Sequence, residues 1–440
     1  MAATDTAAGA RAAPAIQGTE SRKTAWAYTA LVVALYVVNW GDKTVLGLVA
    51  QDLKDEIGVN EQQIGMIASA FFVLFIVGNL GAGFINRHLS LRWSLAFLAI
   101  GWALAMFPVT LSATFTVLLL SRMFLGLLEG PSYPLVHTAV YSWHPIEKRG
   151  LPSAVLTMSA SLAKILIAPV LAVVAHQYGW RAAFLSLAGA GLVWLLVWLP
   201  TWKKPGPYGG EAVKGAAQTE ADKEPNVPWR KVLTSGTFIG AVLASMPTYA
   251  IVAAVLTFLP SYFEKGLGFS RVQAGAMFGA PSIASIITLT GVAFISDKLL
   301  ARGVSSRLLR GVLPTCGLLI CSIALITLPY IKDPYLAVAW VSVGYALGVT
   351  VLPLFNAGLS EIVPPKQFAA TIGIFLALQS LGGVYGPYLA GMIVKNAGSA
   401  LAGYPLAFQV FGATTLVGAV IALVCVNPAR DKARLRGIPS

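Results

Sequence analysis

The sequence predicts an all-α membrane protein of twelve transmembrane helices, arranged as two six-helix halves. Three observations predict it. The first is composition: of 440 residues, 57% are hydrophobic and 11% charged, with a mean hydropathy of +0.74, whereas soluble domains carry roughly 25% charged residues. The second is segmentation into apolar runs of about 20 residues, the length that crosses about 30 Å of hydrocarbon. The third is an internal repeat. Pro145, Lys148 and Pro169 match Pro364, Lys366 and Pro387, with the same interval from Lys to the second Pro, and the basic turn Asn86-Arg87 is echoed by Asp297-Lys298. A duplicated bundle of this kind places a central site between its halves, near the bilayer midplane.

Taken in order, residues 1–25 read as a disordered cytoplasmic tail, Ala-rich and without the apolar core of a signal peptide. The N-terminal half, 26–200, holds helix 1 at 26–50, helix 2 at 62–86, helix 3 at 91–110, helix 4 at 114–142, helix 5 at 151–176 and helix 6 at 181–200. Residues 201–233 form a cytoplasmic linker containing Lys203, Lys204, Lys214, Lys223, Arg230 and Lys231 among several Pro and Gly. The C-terminal half, 234–426, holds helix 7 at 235–262, helix 8 at 271–296, helix 9 at 308–330, helix 10 at 335–360, helix 11 at 368–394 and helix 12 at 402–426. Residues 427–440 form a second cytoplasmic tail.

A net charge of +13 raises nucleic acid as a partner, so its distribution matters. Lys54, Arg181, Lys265, Arg271, Lys332 and Lys395 fall in one set of loops, and Lys43, Arg122 and Lys164 fall within spans. All other Lys and Arg fall in the tails and the alternate loops. That is the positive-inside pattern of a multi-pass protein in the cell (inner or plasma) membrane with both termini in the cytoplasm. Topology thus accounts for the charge with a lipid bilayer and no nucleic acid. Cys316, Cys321 and Cys425 lie in apolar spans, in no metal-ligand pattern, and read as small buried hydrophobes. No metal site or cofactor is expected, and twelve spans suffice for a monomer.

The stretch Ser121–Gly150 carries the clearest chemistry. Arg122, Gly126, Glu129, Tyr133 and His137 recur at helical spacing and share one face. A charge at the bilayer centre costs roughly 2.5–3.5 kcal/mol even on the lenient insertion scale, so two on one face point to a protein-walled, water-reachable cavity. Only Asp42 and Glu129 among the acidic residues lie well inside spans. A carboxyl there is either neutral or ionised against a cation, which makes the pair candidate proton carriers, with a fixed ion pair as the alternative. Lys43 follows Asp42, so the two point roughly 100° apart; Asn39 and Trp40 sit one turn before. Lys164 lies mid-span in helix 5, on a face with Ser153, Thr157, Ser161 and Ala168, where the repeat places Gly382. Lys43, Lys164 and Arg122 are candidates for binding an anionic substrate, or charge partners of Asp42 and Glu129. Gln379, Asn356 and Tyr385 are candidates for lining the cavity from the second half, with Tyr249 behind them. The run Gly382–Pro387 lacks the Lys-Ser or Lys-Thr of a phosphate loop and reads as close helix packing or a hinge.

These residues carry a resemblance to the major facilitator superfamily and, within it, to the anion:cation symporter family, through nearly all of residues 26–426. RMFLGLLEGPSYP with YSWHPIEKRG resembles that family's helix 4, VNWGDKTVLGLVA its helix 1, AHQYGWRAAF the start of its helix 6 and ISDKLLARG its loop between helices 8 and 9. The resemblance implies proton coupling by Asp42 and Glu129 and a contact between Lys43 and the substrate's carboxylate. This chain departs from the family at Asn86, where Asp is usual, at Ala82, where Gly is expected, at Lys43, where Arg with its bidentate fork is commoner, and at Lys164, where small residues are usual.

The resulting expectation is a secondary active transporter importing an organic anion (a sugar acid, dicarboxylate or aromatic acid) with protons as the coupling ion. Trp40, Phe71, Phe72, Phe75 and Tyr133 lean it towards an aromatic acid. The alternative is a proton-coupled exporter of drugs or metabolites, against which KILIAPVLA in helix 5 lacks the exporters' Gly-rich motif. An enzyme is excluded for want of a metal cluster or a nucleophile with a base at usable spacing.

Overall fold

The computed structural model describes residues 22–145, 148–203, 206–208 and 225–437. Twelve helices in it are long and apolar enough to span a membrane: α1 Arg22–Leu48, α2 Glu61–Ile85, α3 Leu91–Leu111, α4 Phe115–Tyr141, α5 Leu151–Tyr178, α6 Trp180–Thr201, α7 Gly236–Gly266, α8 Arg271–Leu300, α9 Leu308–Tyr330, α10 Pro334–Ile362, α11 Ala370–Asn396 and α12 Ala400–Cys425. The fold is therefore the all-α, twelve-span membrane architecture that the sequence predicts, and no strand occurs among the described residues.

Several boundaries differ from the periodicity reading, each for a local reason. Helix α1 begins at Arg22 rather than 26; the rest of the expected N-terminal tail lies outside the described residues. Most of the 201–233 linker also lies outside them, but its end forms a short helix, Trp229–Leu233, started by Pro228. The expected C-terminal tail contains the helix Pro428–Arg436, capped by the Asn427 side chain on Arg430 N. It docks because buried Asp431 accepts hydrogen bonds from the Thr237 backbone N–H at 2.8 Å and hydroxyl at 2.7 Å. Helix α4 is interrupted at Gly130-Pro131, where the ring has no N–H to give to the ladder.

Helix starts follow side-chain caps. Asn60 and Gln63 form a capping box at α2, and Ser270 and Gln273 form another at α8, so the duplicated halves repeat even this detail. Outward faces carry exposed Leu80, Leu104, Leu196, Ile287, Phe294 and Val424, an apolar surface that only lipid would cover.

Alternation of spans puts both chain termini at one end of the bundle, here the terminal end, and the α1–α2 and α7–α8 loops at the far end. Glycines show how the ends differ. At the far end a Cβ on Gly65 would lie 2.2 Å from Pro387 O, one on Gly391 2.2 Å from Glu61 O, and one on Gly47 2.2 Å from Leu256 O. Backbones of α2 and α11, and of α1 and α7, thus touch directly. Toward the terminal end, a Cβ on Gly81, Gly83, Gly291 or Gly373 would meet nothing within 4 Å. The far end is further tied by Arg271 Nη1 donating to Asp52 Oδ1 at 2.5 Å, Lys395 to Gln62 Oε1 at 3.0 Å and the Tyr388 N–H to Ser69 Oγ at 3.0 Å. The halves are held together at the far end.

Candidate functional site

The centre of the site is Lys43. Its ammonium donates to Asn39 Oδ1 at 2.7 Å, one turn back on α1, and to Glu129 Oε2 on α4. It also lies 5.0 Å from the Trp40 ring centroid, 5.7 Å from Phe71 and 5.8 Å from Phe75. The spacing of 39, 40 and 43 puts all three on one side of α1, and Gly126 lets α4 approach: a Cβ there would lie 2.1 Å from Phe71 O on α2. Glu129 is fully buried, with Oε1 unpartnered. A cavity beside Lys43 is lined by Leu46, Ala68, Phe71, Phe72, Arg122 and Thr257.

Arg122 is buried on the Lys43 side of that cavity. It donates Nη1 to the Asp42 backbone carbonyl at 2.7 Å and packs over Phe184 at 5.4 Å, while Nη2 has no partner. It therefore forms no ion pair with Glu129 among the described residues. The Asp42 side chain points elsewhere, into a small space between α1, α3 and α6 walled by Val38, Trp102, Met106 and Leu187, and its Oδ1 is unpartnered. Asp42 and Glu129 thus lie on two sides of Lys43 and Arg122, separated rather than paired.

Lys164 sits elsewhere on the inner surface. It lies on a π-helical turn, Ala163–Ile167, a wider turn that shifts the register of the residues after it. The side chain is buried, 5% exposed, and its ammonium lies 5.3 Å over the ring of Tyr345 on α10. No carboxylate or hydrogen-bond acceptor pairs with it among the described residues.

From the second half, Gln379 is buried with Oε1 unpartnered, Asn356 half-buried with Oδ1 unpartnered, and Tyr385 half-buried. Tyr133 is 44% exposed and stacks on His137 at 4.2 Å, and His137 Nδ1 donates to Tyr133 O at 2.9 Å. Two residues of the inner wall had no prominence in the sequence. Tyr36 is buried between Trp40 at 6.4 Å and Tyr133 at 6.5 Å; its place seven residues before Lys43 was the available signal. Tyr345 had no local signal, since its partner Lys164 is on the other half.

The sequence model of the Major Facilitator Superfamily matches residues 32–357 and 303–439. The chain is 24% identical to the probable galactarate/D-glucarate transporter GudP of Escherichia coli (strain K12), over 84% of this chain and 87% of that protein. It is 22% identical to the D-galactonate transporter of Escherichia coli O6:H1, over 91% and 95%. Its fold matches the crystal structure of a bacterial homologue of the human lysosomal transporter Spinster in an inward-facing, occupied conformation, with a TM-score of 0.77, 17% identity and coverage of 96% and 100%.

Proposed function

Because the chain belongs to the Major Facilitator Superfamily, and is a transporter rather than an enzyme, we propose that it imports an organic anion bearing a carboxylate by proton symport through alternating access. The observation that carries the reading is the Lys43 ammonium held between Glu129 and Asn39 beside the cavity. This cation's counter-charge is a group that can be erased by a proton. The names of the relatives, transporters of galactarate, glucarate and galactonate, support a sugar acid, dicarboxylate or other carboxylate as the cargo.

The cycle follows from which partner Lys43 has. A substrate carboxylate reaching Lys43 and the free Nη2 of Arg122 displaces Glu129. A buried carboxylate stripped of its cation is neutralised by a proton rather than left charged in a dry site. Asp42, behind Arg122, is the second proton carrier. Trp40, Asn39, Tyr133, Gln379, Asn356 and Tyr385 shape the remainder of the binding cavity. When substrate leaves, Glu129 gives up its proton and recaptures Lys43, and the empty carrier can reorient without an unpaired ammonium. With the terminal end, whose loops are basic, read as cytoplasmic and the membrane as the cell membrane, the state described here, held together at the far end with Lys43 on Glu129, corresponds in this cycle to the inward-open carrier after release.

The test is uptake into proteoliposomes with an outside-acid gradient, using labelled sugar acids, dicarboxylates and aromatic acids. Symport requires accumulation that collapses with a proton ionophore. Gradient-stimulated loss of preloaded compound, with no acid taken up, would instead establish the exporter.

A further inference from the structure

Among the mid-span charges, Lys164 has no part in the cycle just described. Its surroundings are unusual for a buried ammonium. It is 5% exposed, near the middle of α5, and on a π-helical turn; such turns are frequent at functional sites. Its one close neighbour of opposite character is the face of Tyr345 at 5.3 Å. A buried charge without a carboxylate or a set of acceptors is expensive, so the position calls for an anion that arrives.

From Lys43 an aromatic wall crosses to the second half. Lys43 lies over Phe71 and Phe75, Phe71 packs edge-on against Phe72 at 5.1 Å, and Phe72 packs edge-on against Tyr249 of α7 at 5.9 Å. Lys164 faces the same second half through the ring of Tyr345 on α10. Lys43 thus stands at one end of the wall, and Lys164 reaches the second half separately, at Tyr345. The site as a whole holds three cations, Lys43, Arg122 and Lys164, against two carboxylates, Asp42 and Glu129.

We propose that Lys164 and Tyr345 form a second anion subsite that selects substrates with two acidic groups, one at Lys43 and Arg122 and the other at Lys164. This rests on the carboxylate reading above and narrows it from acids in general to diacids. The residue acts in specificity, not in coupling. A charge-assisted hydrogen bond to the second acid group corresponds to about 10- to 100-fold in affinity.

The experiment uses matched pairs that differ in one terminal acid group, D-gluconate with D-glucarate and benzoate with terephthalate, in proteoliposomes of the full chain. Wild type is expected to take the diacid of at least one pair with the lower KM. Lys164→Met is expected to raise the diacid KM at least tenfold more than the monoacid KM, and Lys164→Arg to keep most of the preference. Because both substrates are measured on the same preparation, loss of folded carrier lowers both Vmax values together and leaves their KM ratio unchanged. A wild type that prefers the monoacids in both pairs, or a Lys164→Met variant whose KM ratio is that of wild type, overturns the diacid subsite while leaving carboxylate transport standing. A wild type that moves none of the four acids overturns the carboxylate reading itself, and the subsite with it.

Discussion

Replacing Glu129 with Gln separates binding from coupling. Gln keeps the size and an acceptor oxygen toward Lys43 but has no charge and takes no proton. The ammonium is not stranded by the change: Asn39 Oδ1 remains at 2.7 Å, and the rings of Trp40, Phe71 and Phe75 at 5.0, 5.7 and 5.8 Å continue to face it. This matters, because stripping all partners from a buried charge costs about 3–5 kcal/mol and would unfold many carriers. With these contacts kept, the variant is expected to fold and insert. In wild type at neutral pH the substrate carboxylate has to displace an ionised competitor from Lys43. Removing that competitor returns about 1.5–3 kcal/mol, the worth of a hydrogen bond to a charged group. Substrate affinity in Glu129→Gln is therefore expected to rise about 10- to 100-fold at pH 8 and to depend less on pH between 5 and 8 than in wild type. Pre-loaded vesicles should still exchange labelled for unlabelled substrate, while an outside-acid gradient should give no accumulation. The measurements are a dissociation constant by tryptophan fluorescence at the two pH values, together with counterflow and gradient-driven uptake. Gradient-driven accumulation at the wild-type level, or weaker binding at pH 8, would refute the competition between Glu129 and substrate for Lys43.

Three further outcomes are expected. Gly65→Val places a side chain where even Cβ would be 2.2 Å from Pro387 O, so the far end cannot close; uptake should fall to background while a cysteine at Thr257, buried beside the cavity here, becomes reactive to a maleimide added from the far side. At the far-end loop, hydrogen bonds from Arg181 and then Trp180 hold the Glu56 carboxyl down at about 2, from an ordinary 4.5. A depressed carboxyl contributes stability above its unfolded value and loses it as pH falls through the folded one, so Glu56→Gln should lower thermal stability slightly at pH 7, by less than about 1 kcal/mol for so exposed a pair, and the gap to wild type should close between pH 4.5 and 2. Asp431→Ala removes the acceptor for the Thr237 N–H and hydroxyl at 2.8 and 2.7 Å and should cost about 1–3 kcal/mol, read as a lower unfolding temperature in detergent and faster proteolysis after Val426, with the substrate dissociation constant unchanged.

The spans were legible in the sequence because one physical variable, hydrophobic length, fixes them, and the halves because basic turns and prolines repeat. The polar members of the site were legible for a related reason: a charge in an apolar run has few explanations. What periodicity did not carry was pairing. Spacing on α4 puts Arg122 and Glu129 on one face, yet Arg122 goes to the Asp42 backbone carbonyl and Glu129 goes to Lys43, partners that α1 supplies and that the spacing on α4 cannot show. Asp42 and Lys43 are adjacent in sequence and open onto different spaces. The π-helical turn at Ala163–Ile167 is invisible to a 3.6-residue count. Tyr345 illustrates the remaining gap, since a tyrosine in an apolar helix looks like packing until a cation from the other half is seen above it.

The division of chemistry between the halves bears on how loading is sensed. Asp42, Lys43, Arg122, Glu129 and Lys164, the charges within the spans' middle portions, all belong to the first half, whereas the second half offers Tyr249, Tyr345, Gln379, Asn356 and Tyr385, which are polar or aromatic but neutral. Exchange of Glu129 for a substrate carboxylate at Lys43 therefore occurs between α1 and α4 and does not by itself pull on α7–α12. The halves meet instead through backbone-close contacts at the far end, Gly65 on Pro387 and Gly47 on Leu256. For the chemical event to bias the conformational one, something must touch both halves at once, and a ligand shifts an equilibrium only by its differential contacts in the two states. Beside Lys43 the group placed to do so is Phe72, which packs against Tyr249 of the second half. A cargo anchored by its acid at Lys43 and lying along Phe72 toward Tyr249 links a proton-dependent exchange in one half to the position of the other, which is the physical requirement for coupling proton flow to transport in this chain.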